Sequence, residues 1–271
     1  MIRFIFLVFS LAIVLFTSSC SRDSGDVVIA EILLSEELNL AFREQFQDNG
    51  AIEIITKITT TSEYECEKGK LRTTLVKTDD NEILLNVIGL DFTNADGCDG
   101  KDVATSEINL GELPIGVEFN LQILLLGELK TSGSITNTQN SINIDLPNSG
   151  DNAVRINYGV ISKVPTGTAW GFISHDTEVQ DSLALVFINE MEGFGSPLEN
   201  SAVYGNFEID FSGNANINDF ELQGRTAVQK GFAIGLNQEF INLTDRAEDL
   251  FCLDNFRIRI WDTNGNFFQC N

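Results

Sequence analysis

Three residues near the C-terminus have the types and spacing to hold a ligand. In the segment FRIRIWD, read as a strand, Phe256, Ile258 and Ile260 share one face while Arg257, Arg259 and Trp261 share the other. A basic, aromatic stripe of this kind could stack on a sugar ring or grip a carboxylate bidentately. The structural alternative pairs both arginines with Asp or Glu on adjacent strands and uses Trp261 to cover a sheet edge. The chain has 40 acidic residues from which to draw such partners.

Other constellations are weaker. In DFSGNANINDFE, the residues Asp210, Ser212, Asn214, Asn216, Asn218 and Glu221 follow the ligand order of an EF-hand calcium loop. The calcium candidates are therefore Asp210, Asn214 and Glu221. The sharp turn of that loop needs Gly where this chain has Ala215, and the flanks read as strands. A polar turn between two strands explains the same residues, so no metal site is expected. His175 is the only histidine, which rules out His₂ and His₃ metal sites. Ser174 and Asp176 flank it, but neighbours along a strand point in opposite directions, and no G-x-S-x-G elbow occurs. His175 reads as a strand-end polar residue, and no catalytic residue or cofactor motif stands out. Four cysteines remain beyond residue 20, namely Cys66, Cys98, Cys252 and Cys270. Proximity favours Cys66–Cys98 and Cys252–Cys270 disulfides over zinc, because the chain has no CxxC pair.

The elements that must carry these residues are mostly strands. Over residues 51–146, AIEIITKITTT, EILLNVIGLDF, VEFNLQILLL and SINIDLP are rich in alternating apolar and β-branched residues. TDDN, NADGCDGKD and TSGS read as the turns between them, which predicts an all-β sandwich. The segment ILLSEELNLAFREQFQDNG fits a helix through Leu34, Leu38, Phe42 and Phe46, and equally fits a strand. PNSGDN over residues 147–152 reads as a linker. Beyond it, VRINYGVISKV, TAWGFISH, YGNFEIDF, DFELQGR and KGFAIGL join FRIRIWD as strands. DTEVQDSLALVFINEMEGFG is the one predicted helix, with Val179, Leu183, Val186, Phe187 and Met191 as its apolar stripe. The expected division is a sandwich at 51–146 and, over 153–271, an α+β domain with one main helix on a sheet.

The N-terminus suggests where the protein resides. MIRFIFLVFSLAIVLFTSSC places one positive charge before a short apolar run, too short for a bilayer span, and ends in small residues and Cys20. This resembles the lipobox of bacterial lipoproteins. The resemblance implies that residues 1–20 are a signal peptide, that Cys20 carries the lipid, and that residues 21–50 hold a tether and a first element. Ser21 after the cysteine, in place of the Asp of inner-membrane retention, implies the outer membrane, periplasmic or surface-facing. Multiple acyl chains make a durable anchor. Residues 51–146, with Cys66 and Cys98 about their strands, look like an immunoglobulin-like domain of envelope lipoproteins, without the Cys–Trp–Cys core.

The formal net charge of −23 makes nucleic acid an improbable partner. The expected function is a membrane-anchored, non-catalytic binding or scaffolding module for an envelope protein or glycan. The alternative is a carboxylate-dependent hydrolase of envelope or extracellular polymers, whose acid pair no motif identifies. The aromatic complement, 20 Phe against two Trp and three Tyr, looks structural.

Overall fold

Alternation of apolar and polar residues carries the chain through strand after strand, and a computed structural model describes residues 37–65, 69–92, 101–147, 154–175, 181–198, 201–218, 228–252 and 256–270. These are mainly β, arranged in two sheets, with two helices. Cys20, Cys66, Cys98, Asp176 and Glu221, the DFELQGR segment and most of the expected linker lie outside the described residues.

The first sheet contains β1 (Leu38–Phe46), β2 (Ile52–Glu65), β3 (Gly69–Lys77), β4 (Glu82–Phe92) and β5 (Lys101–Gly111). It continues with β6 (Glu118–Leu125), β7 (Glu128–Asn137), β8 (Ser141–Asp145), β9 (Val154–Ile156) and β10 (Val160–Ser162). Their order is β10-β8-β7-β6-β4-β3-β5-β2-β1-β9. The sheet curls into a half-barrel, so Leu38, Leu85, Leu121, Ile142 and Ile161 share one buried cluster. The expected immunoglobulin-like sandwich over 51–146 is not confirmed. All the described strands of that stretch hydrogen-bond into one sheet, with β4 and β6 running parallel. Two strands beyond the expected linker join the same sheet, β9 alongside β1 and β10 alongside β8.

Two local readings are settled by packing. The ambiguous first segment is a strand over its described part: Leu38, Leu40 and Phe42 alternate inward against β2, while Leu34 lies outside the described residues. TSGS is not a turn but lies within β7; Gly133 is there because a Cβ would collide with the Asp145 carbonyl of β8. The actual turn is Leu126-Gly127, both at positive φ, as a two-residue hairpin demands.

The second sheet contains β11 (Thr168–His175), β12 (Gly195–Pro197), β13 (Ala202–Val203) and β14 (Phe207–Ile209). It is completed by β15 (Ala215–Ile217), β16 (Val228–Leu236), β17 (Phe256–Asp262) and β18 (Phe267–Cys270). The order is β13-β14-β15-β16-β11-β17-β18, with β12 pairing with β16. β11 is central and buried along its whole length.

One helix was expected on this sheet, and the described residues form two: α1 (Asp181–Glu192) and α2 (Phe240–Phe251). In α2, Leu243, Ala247 and Phe251 are buried at helical spacing, but the interleaved Asn242, Asp245 and Arg246 dilute the pattern in sequence. The predicted stripe of α1 holds at Phe187 and Met191 and fails at Leu183 and Val186, with Val179 outside the described residues. Ala184, Phe187 and Met191 face the sheet, whereas Leu183 (46%) and Val186 (48%) remain exposed. Cys252, at the end of α2, is disulfide-bonded to Cys270 of β18. Closing a loop of 18 residues is worth about 3 kcal/mol in the chain-entropy account.

Candidate functional site

Strand alternation sorts the second sheet into two faces. Ile173, Phe232, Ile234, Ile258 and Ile260 pack beneath the helices. The opposite face presents aligned side chains. Trp170 of β11 is in register with Trp261 of β17, which is in register with Phe267 of β18. The neighbouring rung is Phe172–Arg259–Gln269. Ring centroids lie 5.4 Å apart for Trp261–Phe267 and 5.9 Å for Phe172–Trp261.

This face meets the outer end of the first sheet. Phe46 of β1 packs on Trp170 at 5.7 Å, and Trp170 on Phe207 at 5.6 Å. Two glycine-bearing turns hold the junction. Gly205, at φ +76°, abuts the Phe42 carbonyl and Arg43 Cα, leaving no room for a Cβ. Gly265, at φ +83°, abuts Gln47 and Asp48 in the β1–β2 turn. Asn206 Nδ2 donates to the Glu44 carbonyl at 2.9 Å. The hydroxyl of Tyr158 donates to Glu208 at 2.9 Å, and that bond is the main cause of a raised Tyr158 pKa, with burial and the Glu208 charge adding to it.

Between the sheets lies a cleft of about 490 Å³. One side is formed by Arg43 to Asp48 and Glu107, the other by Trp170, Arg259, Trp261, Phe267 and Gln269, with Asn206, Ile217 and Asn218 between them. Three of its four carboxylates, Glu44, Glu107 and Asp262, are engaged. Glu44 is 1% exposed; one oxygen accepts from Lys163 Nζ at 2.8 Å and the other from the Val164 amide at 3.0 Å. Glu107 accepts from Arg43 at 3.2 Å. Asp262 closes its own hairpin, accepting from the Asn264 and Asn266 amides at 2.9 Å each and from both side-chain amides. A carboxyl with both oxygens accepting has no proton to give a leaving group.

Of the sequence candidates, Arg259 and Trp261 line this cleft and Arg257 does not. The alternation behind them holds: Phe256, Ile258 and Ile260 are buried, and Arg257 is exposed. Arg43, Phe46, Trp170 and Gln269 were missed. Their positions depend on strand register between distant segments, and the one signal available was that the chain has just two tryptophans. Asp210 and Asn214 do come together, in the hairpin between β14 and β15. There, however, the Ser212 and Asn214 amides donate to Asp210 Oδ1 at 2.8 and 2.9 Å, so backbone N–H groups sit where a cation would need oxygen. Those bonds and the Asn214 side chain, the largest cause, lower the Asp210 pKa. Among the described residues no cluster of His, Cys, Asp and Glu could hold a metal. Ser174 and His175 are both buried in β11, where His175 packs edge-on to Phe256 at 6.2 Å. Among the described residues no helix is long and apolar enough to cross a membrane.

No family model, curated protein or solved structure matches this chain.

Proposed function

We propose that this protein is a non-catalytic binding module of the cell envelope, with the cleft between its two sheets as the ligand site. The observation that carries the reading is that the adjoining rings of Trp261 and Phe267 share one concave surface with Arg43 and Arg259, backed by the buried Trp170. Large aromatic faces and forked guanidinium donors are the groups that bind without chemistry. Two of the four cleft carboxylates, Glu44 and Asp262, are buried with both oxygens accepting structural hydrogen bonds, which supports binding over hydrolysis.

In the same proposal, residues 1–20 are a lipoprotein signal, and Cys20 anchors the chain to the outer membrane and presents the cleft to an envelope protein or glycan. The support is the lipobox-like sequence alone. Neither an immunoglobulin-like character for 51–146 nor a domain boundary at 147–152 is needed for this role.

Metabolic palmitate labelling of the wild type and Cys20→Ala tests the anchor; label that persists in the variant would contradict it. Co-sedimentation of the full chain with insoluble envelope polymer tests the activity. Retention without release of reducing ends is expected, and loss of retention is expected in Arg259→Ala. Steady release of reducing ends would make the protein a hydrolase.

A further inference from the structure

Taking the cleft as a binding site, its lining also specifies the chemistry of the occupant, and we propose that it holds an uncharged oligosaccharide against the Trp261–Phe267 pair. Twelve of the 18 lining residues end in an amide, a carboxylate or a guanidinium, and none is Lys, Ser or Thr; Glu44, Asn206 and Asp262 are buried and bonded within the protein, which leaves nine such groups toward the opening. Planar forked groups can engage two adjacent hydroxyls of a sugar ring at once, whereas a lysine ammonium acts as a point charge. Hydroxyls both donate and accept, so they can satisfy an arginine and a carboxylate in the same site. An anion cannot.

Charge favours the same class. Arg43 and Arg259 share the cleft with Glu44, Asp48, Glu107 and Asp262, on a chain of formal net charge −23. That field works against an acidic ligand and does not affect a neutral one. Arg43 bonds Glu107 through one Nη, and a guanidinium carries five N–H donors.

The aromatic surface supplies the apolar side. Phe267 is 52% exposed and stacks beside the half-buried Trp261, giving a continuous ring surface at the cleft wall. The apolar hydrogens of a pyranose ring cover such a surface without losing hydrogen bonds. A peptide would want aliphatic side-chain pockets, and Ile217 is the only aliphatic residue in the lining. The cleft volume of about 490 Å³ suits a small number of sugar units, within the range of about 300–1,000 Å³ usual for small-ligand sites.

The test is isothermal titration calorimetry of the full chain against neutral hexasaccharides of glucose (β-1,4 and α-1,4), xylose and mannose, with hexagalacturonate as the acidic counterpart. At least one neutral hexasaccharide is expected to bind, with a Kd of roughly 10 μM to 1 mM. Trp261→Ala should weaken it by about tenfold or more. Trp261 also packs on Phe172, so the exposed Gln269 supplies a second variant. Gln269→Ala should weaken binding several-fold with the melting temperature unchanged.

No binding by any neutral hexasaccharide overturns the proposal. So does tighter binding of hexagalacturonate, or neutral binding that survives in both variants. Hexagalacturonate binding that falls in Gln269→Ala would refute the neutral class while leaving the cleft as the binding site. Envelope retention lost in Arg259→Ala, with no hexasaccharide bound, would likewise spare the broader reading.

Discussion

At the residue scale, Glu44 shows how strand alternation can put a charge inside. It continues the inward series of Leu38, Leu40 and Phe42 on β1 and is buried to 1% exposure. What makes this tolerable is the Lys163 ammonium together with the Val164 amide. Glu44→Ala should therefore cost on the order of 3 kcal/mol in urea denaturation, because it strands a partly buried ammonium; a loss below about 1 kcal/mol would mean that water replaces the carboxylate. Tyr158 gives a pH-dependent prediction. Its folded pKa is raised above the ordinary value of 10.0, chiefly by its hydrogen bond to Glu208. The stabilisation is thus fully present below the ordinary value and is lost as pH rises through the raised one. The melting temperature of wild type should exceed that of Tyr158→Phe at neutral pH, and the two should converge once the pH has risen through the raised Tyr158 pKa. A gap that persists at that pH would locate the effect in packing.

At the element scale, two hairpins share a clasp and differ in surroundings. Asp210-Phe211-Ser212-Gly213-Asn214 and Asp262-Thr263-Asn264-Gly265-Asn266 both fold an Asp side chain over the turn amides, with Gly213 and Gly265 at φ +86° and +83°. Gly213 has open space around it, whereas a Cβ on Gly265 would stand 2.6 Å from the Gln47 carbonyl carbon. Gly213→Ala should cost about 1 kcal/mol for the backbone conformation alone. Gly265→Ala should cost clearly more, about 3 kcal/mol, and should loosen the junction between the sheets. Equal losses in thermal unfolding would mean that the Gly265 contact does not hold the junction. The helices make a second contrast: Phe187→Ala should cost about 3–5 kcal/mol and the neighbouring Leu183→Ala under about 1, reversing the ranking expected from hydropathy.

These cases show what sequence reasoning can reach. Strand alternation in FRIRIWD and TAWGFISH was readable, because a period of two is local and strong. The inward face of α1 was only partly so, since Leu183, Leu185 and Val186 are as apolar as the residues that face the sheet. Helix α2 was hidden because its buried residues are separated by charged ones.

At the scale of the whole molecule, the cleft exists because the end of β1 and the β1–β2 turn meet one face of the second sheet. Trp261 and Arg259 were singled out from one strand, but their partners Arg43, Phe46 and Trp170 come from segments more than 80 residues away in sequence. Register alone brings them together, and no local pattern encodes register between distant strands. The single ten-stranded sheet was illegible for the same reason: nothing in the strand sequences distinguishes a curled sheet from two stacked ones.

The central claim is that ligand enters between the sheets, and amide hydrogen exchange on the full chain with and without envelope glycan measures this most directly. The account predicts slowed exchange over residues 43–48 and 259–269, on both walls of the cleft, with α1 and α2 unaffected. Slowed exchange confined to the helices, or to the far strands β7, β8 and β10, would contradict it.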